Sequence, residues 1–141
     1  MKMLRAMREP LKYVQGKNAC LEFEKEMGYM GKRFLFVCSN SGYKATHDMI
    51  EQSFEGKGDY YRRYEVFGGI SSNGEINRMK AIVEEDNVDV VVAIGGGSAV
   101  DTAKATAYYA DKRIVILPTV AATDAPCTGL SVIYNDDGSF D

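Results

Sequence analysis

Asp89-Val90-Val91-Val92-Ala93-Ile94-Gly95-Gly96-Gly97-Ser98 is the stretch on which the fold turns. Val88 to Ile94 is almost free of polar residues. So short an apolar run between turn signals reads as a strand buried on both faces. Three glycines end it, and Ser98 to Ala110 follows as a helix. A buried strand that passes through a turn into a helix is the repeating half-unit of a parallel sheet.

The same unit recurs on either side. Downstream, Arg113 to Leu117 is a second buried strand, closed by Pro118. Upstream, Asn73 to Glu85 carries Ile76, Met79, Ile82 and Val83 at helical spacing. Before it come a strand from Tyr60 to Phe67, a helix from Tyr43 to Phe54, a Ser39–Gly42 turn and a buried strand from Lys32 to Cys38. Ala19 to Met27 reads as a helix stopped by Gly28, and Lys12–Gln15 as a short extended stretch. The pattern predicts an α/β fold over residues 1–129: a Rossmann-like parallel sheet with helices on both faces. Leu130 to Tyr134 is then a strand, Asn135-Asp136-Asp137-Gly138 a hairpin turn, and Ser139 the start of a return strand. Residues 130–141 are therefore expected to be a C-terminal β-hairpin cut short, and the chain end a truncation. Leu130–Tyr134 would be left as an edge open to self-association.

Composition excludes several classes. With 45% hydrophobic and 26% charged residues in 141, the chain is globular rather than disordered. A net charge of −3 supplies no basic surface for nucleic acid or an anionic membrane. The longest apolar run, Val90–Ile94, falls far short of the roughly 20 residues of a bilayer span. Met1 to Lys12 has no apolar core of a signal peptide. Cys20, Cys38 and Cys127 form no C-x-x-C pair and are expected as free thiols in a cytoplasmic protein. The single histidine, His47, cannot by itself found a catalytic zinc or iron site.

Ligands of open parallel sheets bind beyond the carboxyl ends of the strands. Three segments fall there. In Gly95–Ser98 the glycines admit a ligand close to the backbone and the helix start offers unpaired N–H groups, a geometry suited to a diphosphate. A tight turn with Ser98 as helix cap accounts for the same residues. Asp101 is expected in the first turn of that helix, with Lys104 within ion-pair reach. In Pro118–Leu130 the two prolines stiffen a loop rich in hydroxyls whose one charge is Asp124; Asp124 suits either a ligand or an Asx-turn. At Ser39-Asn40, Asn40 can reach a ribose, or Asn40 or Ser41 can cap the next helix. His47 and Glu51, four residues apart, suit a solvated helix face better than a metal pair.

Gly95–Lys104 (G-G-G-S-A-V-D-T-A-K), Pro118–Cys127 (P-T-V-A-A-T-D-A-P-C) and Leu130–Gly138 (L-S-V-I-Y-N-D-D-G) together resemble the glycerol dehydrogenases of the iron-containing alcohol dehydrogenase family, relatives of dehydroquinate synthase. Pro10 to Ala19 is similar to that family's N-terminus. The resemblance spans essentially the whole chain; its T-D-A-P and L-S-V-I-Y elements are the more specific part. It implies NAD-dependent oxidation of glycerol to dihydroxyacetone, with zinc supplied by a helical C-terminal domain that is not in this sequence, so the chain alone is expected to be inactive, with neither catalytic nor metal-binding residues of its own. A homo-oligomer is expected. Carried over by position, Gly96, Gly97 and Ser98 would hold the diphosphate. Thr119 and Ala122 would line the cofactor, Thr128, Leu130 and Tyr134 would surround its nicotinamide end, and Asp124 would contact glycerol. Ser98 stands where these enzymes often have Lys, and Ala122 and Thr128 where serines are common. Asn40 stands where the family has a ribose-binding Asp. A hydrogen bond to a charged group is worth about 1.5–3 kcal/mol and a neutral one about 0.5–1.5, so Asn40 implies looser NAD binding and weaker discrimination against NADP. A non-catalytic nucleotide-binding module is the competing reading, and a dehydroquinate synthase-like lyase a third, disfavoured by the T-D-A-P loop.

Overall fold

The computed structural model describes residues 12–15, 19–68, 71–118 and 129–133. Strands β1 (Lys12–Gln15), β2 (Arg33–Cys38), β3 (Tyr61–Val66), β4 (Val90–Gly95), β5 (Arg113–Pro118) and β6 (Gly129–Ile133) form one sheet in the order β1-β6-β5-β4-β2-β3. β3, β2, β4 and β5 are parallel; β6 runs antiparallel to both β5 and β1. The helices are α1 (Phe23–Met27), α2 (Asn40–Phe54), α3 (Asn73–Glu85) and α4 (Gly97–Ala110). The expected Rossmann-like α/β architecture is therefore present.

Side-chain alternation along β2 builds two core layers from one strand. Phe34, Phe36 and Cys38 pack with Phe23, Met27, Ile50 and Phe54 from α1 and α2. Leu35 and Val37, one residue out of phase, pack with Met79, Ile82, Val83, Ala99, Ala103 and Ala107 from α3 and α4. Each large side chain so buried contributes about 1.5–3 kcal/mol, which makes β4, buried along its whole length, and β2, buried from Phe34 to Cys38, the spine of the fold. Phe23 anchors the first layer, with ring centroids 5.5–5.8 Å from Phe34, Phe36 and Phe54. The alanine stripe gives α4 a slim inner face. Its two buried threonines are satisfied within the helix: Thr102 Oγ1 donates to Ser98 O at 2.9 Å and Thr106 Oγ1 to Thr102 O at 2.8 Å.

β3, an edge strand, is stabilised differently. On one face Arg62 donates twice to the Glu51 carboxylate, at 2.7 Å each, and Tyr64 Oη once at 2.7 Å. On the other, Arg63 joins Asp86 and Glu65, both at 2.9 Å, and Arg78 joins Glu65 at 2.8 Å and Glu75 at 2.9 Å. Charges on both faces make a poor template for a further strand.

Several local expectations need correction. Ala19–Met27 is a 3₁₀ turn (Ala19–Glu22) followed by α1, and a second 3₁₀ turn, Gly28–Met30, continues past the presumed stop. Ser39–Gly42 is not a separate turn: Ser39 caps α2, and the other three residues are its first turn. β6 is not an edge, because β5 and β1 flank it. Cys38 is a free, buried thiol, but Cys20 is disulfide-bonded, a pairing that spacing alone does not reveal. The hairpin turn at 135–138 and Cys127 lie outside the described residues.

Candidate functional site

The carboxyl ends of β2, β4 and β5 lie side by side, with Cys38 level with Ile94 and Gly95 level with Pro118. Here β4 turns into α4 through the three glycines, and the glycines do different things. Gly95 has φ +141°, a region that L side chains rarely adopt, and a Cβ there would lie 2.7 Å from Ser39 Oγ and 3.2 Å from Ala99 Cβ. Its identity is dictated by the fold. At Gly96 and Gly97 a Cβ would meet nothing within 4 Å. Both are exposed, and no packing among the described residues requires them to be glycine.

Helix ends sharpen the contrast. Ser39 Oγ accepts from Gly42 N at 3.0 Å and Ser72 Oγ from Glu75 N at 3.2 Å, so α2 and α3 are capped. α4 has Gly96 at its cap position and no side-chain cap. Its first backbone bond runs from Val100 N to Gly96 O at 3.0 Å, which leaves the N–H groups of Gly97, Ser98 and Ala99 directed out of the helix end. The cap expected at Ser98 is thus at Gly96; Ser98 is an exposed second helical residue, and Asp101 lies beyond the first turn.

Asn40 is the exposed first residue of α2, at the end of β2 beside β4. It caps nothing, and neither does Ser41; Ser39 does that work, which leaves the Asn40 side chain facing solvent. Leu130 is in β6. The antiparallel register sets Ser131 opposite Ile116, so Gly129 and Leu130 fall toward the carboxyl end of β5, the same edge as the glycine turn. Thr119, Ala122, Asp124, Thr128 and Tyr134 lie outside the described residues.

Other candidates separate from this edge. Asp89 lies at the opposite end of β4, where its carboxylate accepts from Lys32 N at 2.9 Å and Arg33 N at 3.0 Å. Two open clefts, of about 480 and 410 Å³, share Lys32 and Tyr60 at that same amino end, away from where such sheets bind ligands. His47 is half-exposed on α2 beside the fully exposed Asp48, as a solvated helix face requires, and the Glu51 carboxylate is bonded to Arg62 and Tyr64. The His47 ring lies 4.8 Å from Tyr43 and 4.7 Å from Tyr64 between centroids, with Nδ1 3.1 Å from Asp48. The Arg62 hydrogen bond holds the Glu51 carboxyl below the usual carboxylate range, against burial and with help from Tyr64. Among the described residues no three His, Cys, Asp or Glu side chains could hold a metal ion. No helix among them is long and apolar enough to cross a membrane.

A parallel sheet whose carboxyl edge bears an open glycine turn and an uncapped helix defines a Rossmann-like α/β protein with one anion-directed helix end. The chain belongs to the iron-containing alcohol dehydrogenase family, whose profile matches residues 10–140. It is 43% identical over 131 residues to glycerol dehydrogenase of Thermotoga maritima, a match covering 93% of this chain and 35% of that protein. It is 37% identical to glycerol dehydrogenase of Escherichia coli O6:H1, over 99% of this chain and 38% of that one. Among solved structures, a probable glycerol dehydrogenase of Sinorhizobium meliloti 1021 superimposes with a TM-score of 0.66 at 33% identity, covering 81% of this chain and 30% of the other. The chain thus spans little more than a third of the length of these curated relatives.

Ser39 is the residue whose importance the sequence least discloses. Its only signal is a Ser three residues ahead of a Gly at the end of a buried strand, the spacing of a helix cap.

Proposed function

We propose that this chain is the nucleotide-binding part of an NAD-dependent glycerol dehydrogenase. The observation that carries the reading is the pair Gly96 and Gly97. Gly97, inside the helix, costs about 0.5–1 kcal/mol relative to alanine, Gly96 forgoes a side-chain cap, and no described neighbour offsets either. A ligand that must approach the backbone supplies the missing reason, and the uncapped N–H groups beside it favour an anion. The diphosphate of NAD fits both.

In this reading Gly96, Gly97 and Ser98 hold the diphosphate through backbone N–H groups. Asn40 meets the adenosine ribose as a neutral partner and lacks the charge that would repel a 2′-phosphate. Thr119 and Ala122 line the cofactor, Thr128, Leu130 and Tyr134 flank its nicotinamide end, and Asp124 takes a hydroxyl of glycerol. Bound NAD would supply the hydride acceptor. Zinc, which the family resemblance implies, does not fit the described residues: the sole histidine of the sequence is packed against two tyrosines, and Glu51 is taken by Arg62 and Tyr64. A module that holds nucleotide without catalysis is the second reading. A cytoplasmic homo-oligomer that binds neither nucleic acid nor membrane belongs to both readings.

Titrating the purified chain with NADH, followed by nicotinamide fluorescence, tests the proposal. Saturable binding that Gly97→Val abolishes, with an unchanged circular dichroism spectrum, is expected. Binding indifferent to Gly97→Val, or none at all, refutes it.

A further inference from the structure

We infer that Ser39 is the positioning residue of the phosphate turn, a role that rests on the nucleotide reading above. Ser39 sits between two glycines from different parts of the chain. A Cβ at Gly95 would lie 2.7 Å from its Oγ and 3.0 Å from its Cβ; a Cβ at Gly42 would lie 2.8 Å from the same Oγ and 3.0 Å from Ile94 O. The β2–α2 and β4–α4 turns therefore approach each other with room for one small hydroxylated side chain. Ser39 also joins them through its backbone, donating from N to Ile94 O at 2.9 Å, the carbonyl just before the glycines. Its Oγ is held in place by the Gly42 N–H at 3.0 Å.

These contacts give Ser39 two separable jobs. One is to cap α2, which any good capping residue can do. The other is to set the path of Gly95, and through it the direction in which the N–H groups of Gly97 and Ser98 point. Close-packed interiors pass a misplaced atom on to their neighbours rather than absorbing it, so a larger side chain at position 39 should displace the turn. Ser39 does not touch the cofactor in this scheme; it acts through Gly95.

Ser39→Asn separates the jobs, because Asn caps as well as Ser, is neutral and is bulkier. The measurements are the NADH dissociation constant and amide hydrogen exchange along residues 39–47 and 95–100, on the wild-type chain and the variant. Positioning predicts protection at Gly42 as in wild type, faster exchange at Gly96–Ser98 and NADH affinity at least about tenfold weaker, a change of about 1.4 kcal/mol. Equal affinity with unchanged exchange at Gly96–Ser98 overturns the role while leaving the nucleotide reading intact. If the wild-type chain binds no NADH while those amides still respond to Ser39→Asn, the nucleotide reading fails and the mechanical link between the turns stands. Should Ser39→Asn fail to fold, Ser39→Ala, which removes the Oγ that lies between the two turns, must alter exchange at Gly96–Ser98 as well as at Gly42. A response confined to Gly42 reduces Ser39 to a cap.

Discussion

Replacing Gly95 and Gly97 by alanine, one at a time, should move stability in opposite directions. At Gly95 two costs combine. The backbone has φ +141°, and holding an L residue in so sparsely populated a region costs about 1–3 kcal/mol. The new methyl would also stand 2.7 Å from Ser39 Oγ, 3.0 Å from Ser39 Cβ and 3.2 Å from Ala99 Cβ. Relieving such overpacking costs about 1–3 kcal/mol more, so Gly95→Ala should destabilise by about 2–6 kcal/mol. At Gly97 the backbone is already helical and a methyl would meet nothing within 4 Å. Gly97→Ala should therefore stabilise by about 0.5–1 kcal/mol while weakening NADH binding by about tenfold or more, since the methyl occupies the space kept for the diphosphate. Urea unfolding followed by far-ultraviolet circular dichroism reads the first quantity, and fluorescence titration the second. A Gly97→Ala chain that is more stable and binds NADH as before refutes the claim that a ligand explains the glycine. A Gly95→Ala chain as stable as wild type refutes the turn geometry itself.

Glu51→Gln should cost about 1–3 kcal/mol, because Arg62 and Tyr64 lose a shared, partly buried carboxylate; a midpoint in urea equal to wild type would show the pair to be idle. Glu51, Glu75 and Asp86 have lowered pKa values, led respectively by hydrogen bonds from Arg62, Arg78 and Tyr61. Their contribution is then full above the unfolded carboxylate values of about 4 and is lost as pH falls through the lower folded ones. Acid unfolding should accordingly set in below about pH 4, with a shallower pH dependence in Glu51→Gln; stability that stays flat down to pH 2 contradicts it. Cys38, whose thiol burial pushes up to about 12 with the Glu65 charge adding to it, should resist iodoacetamide at pH 8 in the folded chain and react in urea, as mass spectrometry of the Cys38 peptide would show. With its one histidine packed among aromatics, the chain given zinc, NAD and glycerol should form no zinc-dependent NADH; a rate within about tenfold of the Thermotoga maritima relative would overturn that expectation.

How much was legible depended on how local the determining interactions are. Asn73–Glu85 is a helix with the expected bounds because its determinants lie within it or beside it: Ser72 caps it, and Met79, Ile82 and Val83 form its buried face. The helix at Asn40 starts three residues before its expected position because Ser, Asn and Gly favour turns and helix starts alike. The place of β6 could not be read at all. Its strand character is local, but pairing with β1 joins the two ends of the described chain. The carboxylates that cover β3 were equally hidden: Glu51, Glu75 and Asp86 come from α2, α3 and the turn after it, and no short motif places them opposite Arg62, Arg78 and Arg63.

The glycine run shows the limit most clearly. As letters, Gly95, Gly96 and Gly97 are equivalent, and a phosphate turn or a tight turn explains all three. In space they divide. Gly95 is required by the protein itself, through its positive φ and the Ser39 side chain against it. Gly96 and Gly97 are required by nothing in the described chain. A tight turn would need only the first; Gly97 carries a helix-propensity cost and Gly96 leaves the helix without a side-chain cap, and a partner at the helix end accounts for both. The functional signal is thus two glycines rather than three, recognised by the empty space beside them, and the third is the hinge that Ser39 holds in register with the neighbouring strand.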